Sequence, residues 1–340
     1  MNWSKLSQEE KLKILEQLSD SIKLDKASIE KDWWVTMVLK ALFTSEFAPH
    51  LSFKGGTSLS KCYHLINRFS EDVDIAVNRE FLGFGGELSK TQISDKLRRA
   101  SCSFVRETLT KEIEKQLLAL GIAEGEFEVK VNLTSITTTD PEIIEVNYKS
   151  VLFDLSYVQN RVLIEVSGRS MSEPVEQVEI CSMIAENLPN ASFSDKPFEL
   201  TVVSPKRTFL EKACLLHEEF SQSTREVRSH RMTRHIYDLE RMMDTDVAKE
   251  ALKDIELYRA VIEHRKKFIG LKGFDYSGLL PQNISFIPPE NIMENWRADY
   301  NSMCESMIYG DSLPFDALIT RIKELNQRFR MIKVSLDGRL

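Results

Sequence analysis

The 340-residue sequence carries no cross-linking framework. Its five cysteines, Cys62, Cys102, Cys181, Cys214 and Cys304, are odd in number, far apart and free of any Cys-x-x-Cys pair. That pattern excludes a disulfide scaffold and a cysteine zinc site, and it fits reduced thiols. The six histidines show no ligand spacing either; His230 and His235 are five apart, which does not align them on one helix face. Long apolar runs are absent. No stretch approaches the ~18 residues of a membrane-spanning helix, and the N-terminal MNWSKLSQEEKLKILEQL has no signal-peptide core. A cytoplasmic chain without a membrane partner is the expectation. The net charge of −7 also argues against broad coating of nucleic acid, which needs a positive field. A local reversal stands out: Lys206 to Arg234 holds seven Lys or Arg against four acids. On composition alone that run reads as a solvated helix face.

What is present is ordinary globular material, 42% hydrophobic and 29% charged, long enough for two or three folding units. Ser7 and Glu10 have capping-box spacing ahead of Leu12, Ile14, Leu15 and Leu18, which predicts an amphipathic helix. DWWVTMVLKALF predicts a second, with Trp33, Trp34, Met37, Val38, Ala41 and Leu42 as its apolar face. LSFKGG reads as a short strand, TSLSKCYHLI as a helix and EDVDIAVN as a strand. Residues 90–121 read as one long helix. FEVKVNLTSI, the stretch from Glu142 to Tyr157, RVLIEVSGR and FELTVV are further strand candidates. Beyond Ser204-Pro205 the periodicity is helical, with a linker or long loop from Gly270 to Pro289. The expected organisation is α+β: N-terminal helices over 1–48, a mixed strand and helix core over 49–204, and a helical domain over 205–340.

Asp72 and Asp74 are separated by one residue in a predicted strand, so both carboxylates leave on one face. Such a like-charged pair is relieved by a divalent cation with a preference for hard oxygen ligands. Read alone, Asp-x-Asp is more simply a solvent-facing strand edge. Gly55, Gly56 and Thr57 change that reading. They stand between a strand and a helix start, where free N–H groups and the helix dipole favour phosphate. The run is neither a Walker A loop, having no Gly-Lys-Ser/Thr ending, nor a dinucleotide fingerprint, which needs a third glycine. A phosphate-binding helix start joined to a paired-carboxylate strand is the layout of metal-assisted phosphoryl chemistry.

FKGGTSLSKCYHLINRFSEDVDI closely resembles the first motif of the AbiEii/AbiGii toxin family of nucleotidyltransferases: a Gly-Gly-Thr or Gly-Ser turn, a helix, then Arg-Phe-Ser-Glu-Asp-x-Asp. EKDWWVTMVLKALF is similar to the helix before that motif. The resemblance implies a polymerase-β-like core, a mixed sheet with flanking helices. It makes Asp72 and Asp74 metal ligands, with RVLIEVSGRSMSEPVE supplying the third carboxylate as Glu165; Asp154 in VLFDLSY competes for that role. SPKRTFLEKACLL is similar to the family's Glu-Lys helix, making Lys212 a triphosphate-binding lysine. RMTRHIYDLERM resembles its Arg-rich segment, which implies nucleotide-binding roles for Arg231, Arg234 and Asp238 beside Gly55, Gly56, Thr57 and Lys212. Without the resemblance, Lys212 reads as a helix-surface lysine, and Asp238 as a residue orienting arginines without touching a ligand. His235 stands where many relatives have Asp, and fourteen residues separate Thr57 from Asp72, in keeping with this branch. The matches span residues 30–240.

The function implied is Mg²⁺- or Mn²⁺-dependent transfer of an NMP from NTP to an acceptor, with the tRNA 3′ end as leading acceptor. The biological setting implied is the toxin of a bacterial toxin–antitoxin or phage-defence pair, with an antitoxin protein as partner. Transfer to a protein or small molecule, a non-catalytic scaffold binding nucleotide or nucleic acid, and a metal nuclease are the competing readings.

Overall fold

The computed structural model describes residues 3–70, 72–132, 142–152, 159–221 and 225–332. The chain forms two units. One comprises Met1–Tyr63 and Phe69–Val203, the other His64–Arg68 and Ser204–Leu340.

The first unit opens with α1 (Gln8–Ile22), started by the expected capping box: the Ser7 hydroxyl accepts the Glu10 N–H while the Glu10 carboxylate accepts the Ser7 N–H at 2.8 Å. In α2 (Lys26–Phe43) burial reaches all round the helix, well beyond the expected apolar stripe; Val38, Leu39, Ala41 and Leu42 are each 0% exposed. Its three consecutive polar residues are buried too, and each holds a different segment. Glu30 accepts from the Ser150 hydroxyl and the Val151 N–H, Lys31 donates to the Gln159 carbonyl, and Asp32 takes the Met183 N–H and the Lys61 ammonium. This helix thereby satisfies buried polar groups that would otherwise destabilise the core.

β1 (Leu51–Lys54), α3 (Gly55–Lys61) and β2 (Asp72–Val77) follow. α3 stops at Lys61, short of the expected TSLSKCYHLI helix. His64 takes a left-handed φ of +50°, and residues 64–68 join the other unit. From Gln92 to Ala119 the chain is helical, as expected, with π turns at Gln92–Leu97 and Val105–Leu109 interrupting α4 (Arg98–Phe104) and α5 (Thr110–Ala119). β3 (Phe127–Val131), β4 (Glu142–Tyr148), β5 (Arg161–Ser167), β6 (Val175–Ile180), α6 (Met183–Asn187) and β7 (Phe198–Val203) complete the unit.

The strands form one mixed sheet in the order β3-β4-β5-β2-β1-β7-β6. β2 runs antiparallel to β1 and parallel to β5. Val73, Ile75, Val162, Ile164 and Val166, all 0% exposed, make one face of the β2–β5 pair, and α2 packs against the sheet at β5 and β7. Full burial of such side chains contributes about 1.5–3 kcal/mol each. The alternate residues Asp72, Asp74, Leu163 and Glu165 occupy the opposite face and stay partly exposed. Period-2 alternation thus separates core from chemistry.

The second unit is helical: α7 (Pro205–Phe220), α8 (Thr233–Met242), α9 (Asp246–Lys253), α10 (Ile255–His264), α11 (Met293–Ser306) and α12 (Phe315–Arg330). Phe209, Ile236, Leu239, Trp296 and Phe329, each 0% exposed, lie in its core. The Gly270 to Pro289 stretch is a packed loop and not a linker. Leu279, Ile284 and Phe286 are fully buried, and its carbonyls accept from the Tyr258 hydroxyl and the Asn326 amide. Asp299 in α11 caps α8, accepting the N–H of Arg231 at 2.6 Å and both the N–H and hydroxyl of Thr233.

Candidate active site

In the first unit the expected site residues fall on adjoining strands. Asp74 stands in register with Glu165 on β5 and with Lys54 on β1, and Asp72 with Leu163. Directly paired residues project from the same face, so Asp72, Asp74 and Glu165 share it. They are not gathered at one point. Among the described residues no group of three His, Cys, Asp or Glu side chains stands close enough to hold a metal ion. Like-charged carboxylates repel until a cation intervenes, so a shared but unconverged face is consistent with their charge. Asp154 lies outside the described residues.

Gly55 shows how closely this face is built. Its φ is +84°, and a Cβ there would stand 1.9 Å from Oδ2 of Asp74. The Asp74 carboxylate therefore lies against the first turn of α3, in space that only glycine leaves open. Thr57 is 3% exposed, and its hydroxyl donates to the Asp72 carbonyl at 2.5 Å with the Ser70 hydroxyl at 2.9 Å. That hydroxyl is engaged in placing Asp72. What Gly55, Gly56 and Thr57 offer an anion is first-turn N–H groups, which have no acceptor within the helix. α3 is itself anchored: Lys61 pairs with Asp32 at 2.7 Å with both side chains buried. Burial alone pushes the Lys61 ammonium down, but the Asp32 carboxylate outweighs it, and the net shift is upward. The donor set suits a hard divalent cation, since it consists of partly exposed carboxylates on one sheet face.

The second unit gathers Lys212, Arg234, His235 and Asp238 with one residue the sequence reading left without a role, Arg68. Asp238 is 0% exposed. Arg68 grips it through two bonds, Nε at 2.7 Å and Nη2 at 2.8 Å, and Lys212 reaches its Oδ2 at 2.9 Å. Burial disfavours the carboxylate charge, but these two cations overcome that and hold its pKa well below the usual range. Lys212 moves the other way from a typical ion-paired lysine. Burial, then the like charges of Arg68 and Arg234, lower it in spite of Asp238. The pair differs because Asp238 has two cations while Lys212 shares its one anion. His235 lies 3.5 Å from Lys212, and burial with the neighbouring cations lowers it well below the ordinary 6.5. Arg231 is exposed at the entry to α8 with a φ of +58°. Arg68 was within reach of sequence reasoning: it is the arginine of the Arg-Phe-Ser-Glu-Asp-x-Asp run, flanked by the buried Ile66 and Phe69.

The fold is a seven-stranded mixed sheet flanked by helices, with Asp74 and Glu165 in register on one of its faces, and sequence comparison gives the family. Residues 38–321 match the family described as nucleotidyl transferase AbiEii toxin, type IV toxin–antitoxin system, and the chain belongs to that family. It is a nucleotidyltransferase toxin, an enzyme class that draws on an NTP and a divalent metal, and a type IV system implies an antitoxin partner. Among solved structures, MenT4, a nucleotidyltransferase toxin from Mycobacterium tuberculosis H37Rv, is similar in fold: TM-score 0.52 and 15% identity over 96% of this chain and 91% of that one. JHP933 from Helicobacter pylori aligns with a TM-score of 0.42 at 12% identity, over 90% of this chain and 93% of that chain. Comparison with curated proteins gave no match. Among the described residues no helix is long and apolar enough to cross a membrane.

Proposed function

We propose that this toxin transfers an NMP from NTP to the 3′ end of tRNA, using Mg²⁺ or Mn²⁺ held by Asp72, Asp74 and Glu165. The observation that carries the reading is the register of Asp74 with Glu165, together with the seat of Asp74 on Gly55. A divalent cation held on this face supplies charge to the phosphate oxygens and to the departing pyrophosphate. The residues of the chain do the rest. Thr57 holds the start of β2, so that Asp72 keeps its place beside Asp74. First-turn N–H groups of Gly55, Gly56 and Thr57 donate to phosphate oxygens. In the second unit Lys212, Arg231 and Arg234 are the cations for phosphates of the nucleotide or of an acceptor backbone. Asp238 acts as a positioning residue, holding Lys212 without touching the ligand. The tRNA acceptor and a role in phage defence rest on family resemblance alone.

The test is incubation with each labelled NTP and total RNA, followed by resolution of the products. Label is expected in tRNA, and Asp72→Ala or Asp74→Ala should abolish it while the melting temperature stays near that of the parent. Undiminished transfer by both variants would sink the metal site. Label found in protein or in a small product would move the acceptor to the competing class.

A further inference from the structure

Lys54 closes β1 immediately before Gly55. Alternation fixes its face: Leu51 and Phe53 are 1% and 0% exposed in the core, so Ser52 and Lys54 leave from the opposite side. Lys54 is in register with Asp74, and Asp74 with Glu165. One ammonium and two carboxylates therefore cross the sheet as a row, on the face that carries Asp72. Directly opposed residues keep their Cβ atoms about 4.5–5.5 Å apart, well within the span of a lysine. Lys61, six residues on by number of steps beyond Gly55, is buried and tied to Asp32, whereas Lys54 stays partly exposed and joins no ion pair among the described residues. Its charge is available on the face where chemistry is expected.

We infer that Lys54 is a substrate-contacting residue whose ammonium meets the phosphates of the bound nucleotide and the pyrophosphate that leaves. The inference rests on the reading of Asp72, Asp74 and Glu165 given above. In the transfer the acceptor hydroxyl oxygen bonds to the α-phosphorus and its proton passes to solvent. The bond from the α-phosphorus to the bridging oxygen breaks, and its electron pair leaves on pyrophosphate. Negative charge thus gathers on the leaving group beside a face that already carries carboxylates. A compact cation in the same cross-strand row stabilises that charge where it develops.

The experiment titrates magnesium tripolyphosphate, a probe independent of base and acceptor, into the full chain by calorimetry. Lys54→Met should weaken binding about tenfold or more, the effect of losing one charge-assisted hydrogen bond, and Lys54→Arg should recover most of it. Both should melt near the parent temperature, since Lys54 is not buried. In the labelled-NTP assay Lys54→Met should raise KM and lower kcat. Parent-like tripolyphosphate affinity in Lys54→Met overturns the inference and leaves the metal reading standing. Asp74→Asn separates the two: if it too binds magnesium tripolyphosphate like the parent, the carboxylate reading fails and Lys54 falls with it.

Discussion

A methyl group at position 55 would stand 1.9 Å from Oδ2 of Asp74, on a backbone whose φ of +84° already disfavours any side chain. Gly55→Ala must therefore displace the carboxylate or reshape the first turn of α3. The backbone part costs about 1–2 kcal/mol. Transfer should fall by on the order of a hundredfold, the scale set by misplacing a reacting geometry, with only a modest loss of melting temperature; parent-like turnover would show that Asp74 has no fixed place. Asp238 tests the other unit. Asp238→Asn leaves the Arg68 guanidinium buried without its carboxylate, and about 3–5 kcal/mol of stability should be lost in urea unfolding. Arg68→Met combined with Asp238→Leu should recover part of it. At this scale the sequence showed which acids share a face, because strand periodicity is local. It did not show that Asp74 sits opposite Glu165, because register is set by strands far apart in the chain. Nor did it show that the Thr57 hydroxyl serves Asp72.

Among the elements, α3 is short and depends on its anchor. Lys61→Met leaves Asp32 buried with one cation fewer, and a loss of about 3–5 kcal/mol is expected by the same rule, read as a lower urea midpoint. Lys61→Met with Asp32→Leu tests whether the ion pair or the Met183 N–H bond matters more, since the double variant also orphans that N–H. Helix periodicity located α1, α2, α7, α8 and α12 well, because each presents an apolar face to a core. It overran α3, whose end is set by contacts of the segment that follows: Asn67 accepts the Tyr309 N–H, and Arg68 is fixed by Asp238. β6 was not named, because it is an edge strand on which only Ile180 is buried, so no apolar alternation marks it. Glycine and proline left residues 270–289 open between a linker and a long loop, and the burial of Leu279, Ile284 and Phe286 decides for the loop.

For the whole molecule, acid is the informative perturbation. His217 and His235 both have pKa values below the ordinary 6.5, in each case chiefly through burial, with the charges of Lys212 and Arg234 adding for His235. The unfolded chain takes up protons there below about pH 6.5 and the folded one does so only at lower pH, so stability should fall as pH drops through that window. A melting series from pH 7.5 to about pH 5 should decline, and His235→Gln should flatten it. Glu219 acts later. Burial raises it, but Arg225 and Arg228 pull it down to about 2, so its contribution is present above about 4.5 and fades only as pH approaches 2. The change from period-2 to helical patterning at Ser204-Pro205 was readable, although the helices over 1–48, expected as a part of their own, lie in the first unit. The return of residues 64–68 to the helical unit was not, since it reflects tertiary pairing of a short polar segment. The glycine at the first turn of α3 also has a genetic consequence. Every missense change of a single base in a glycine codon introduces a residue with a Cβ, and each such residue meets the Asp74 carboxylate. In a gene whose product harms its host, codon 55 offers no silent drift in the protein, and escape mutants selected for loss of toxicity should collect there.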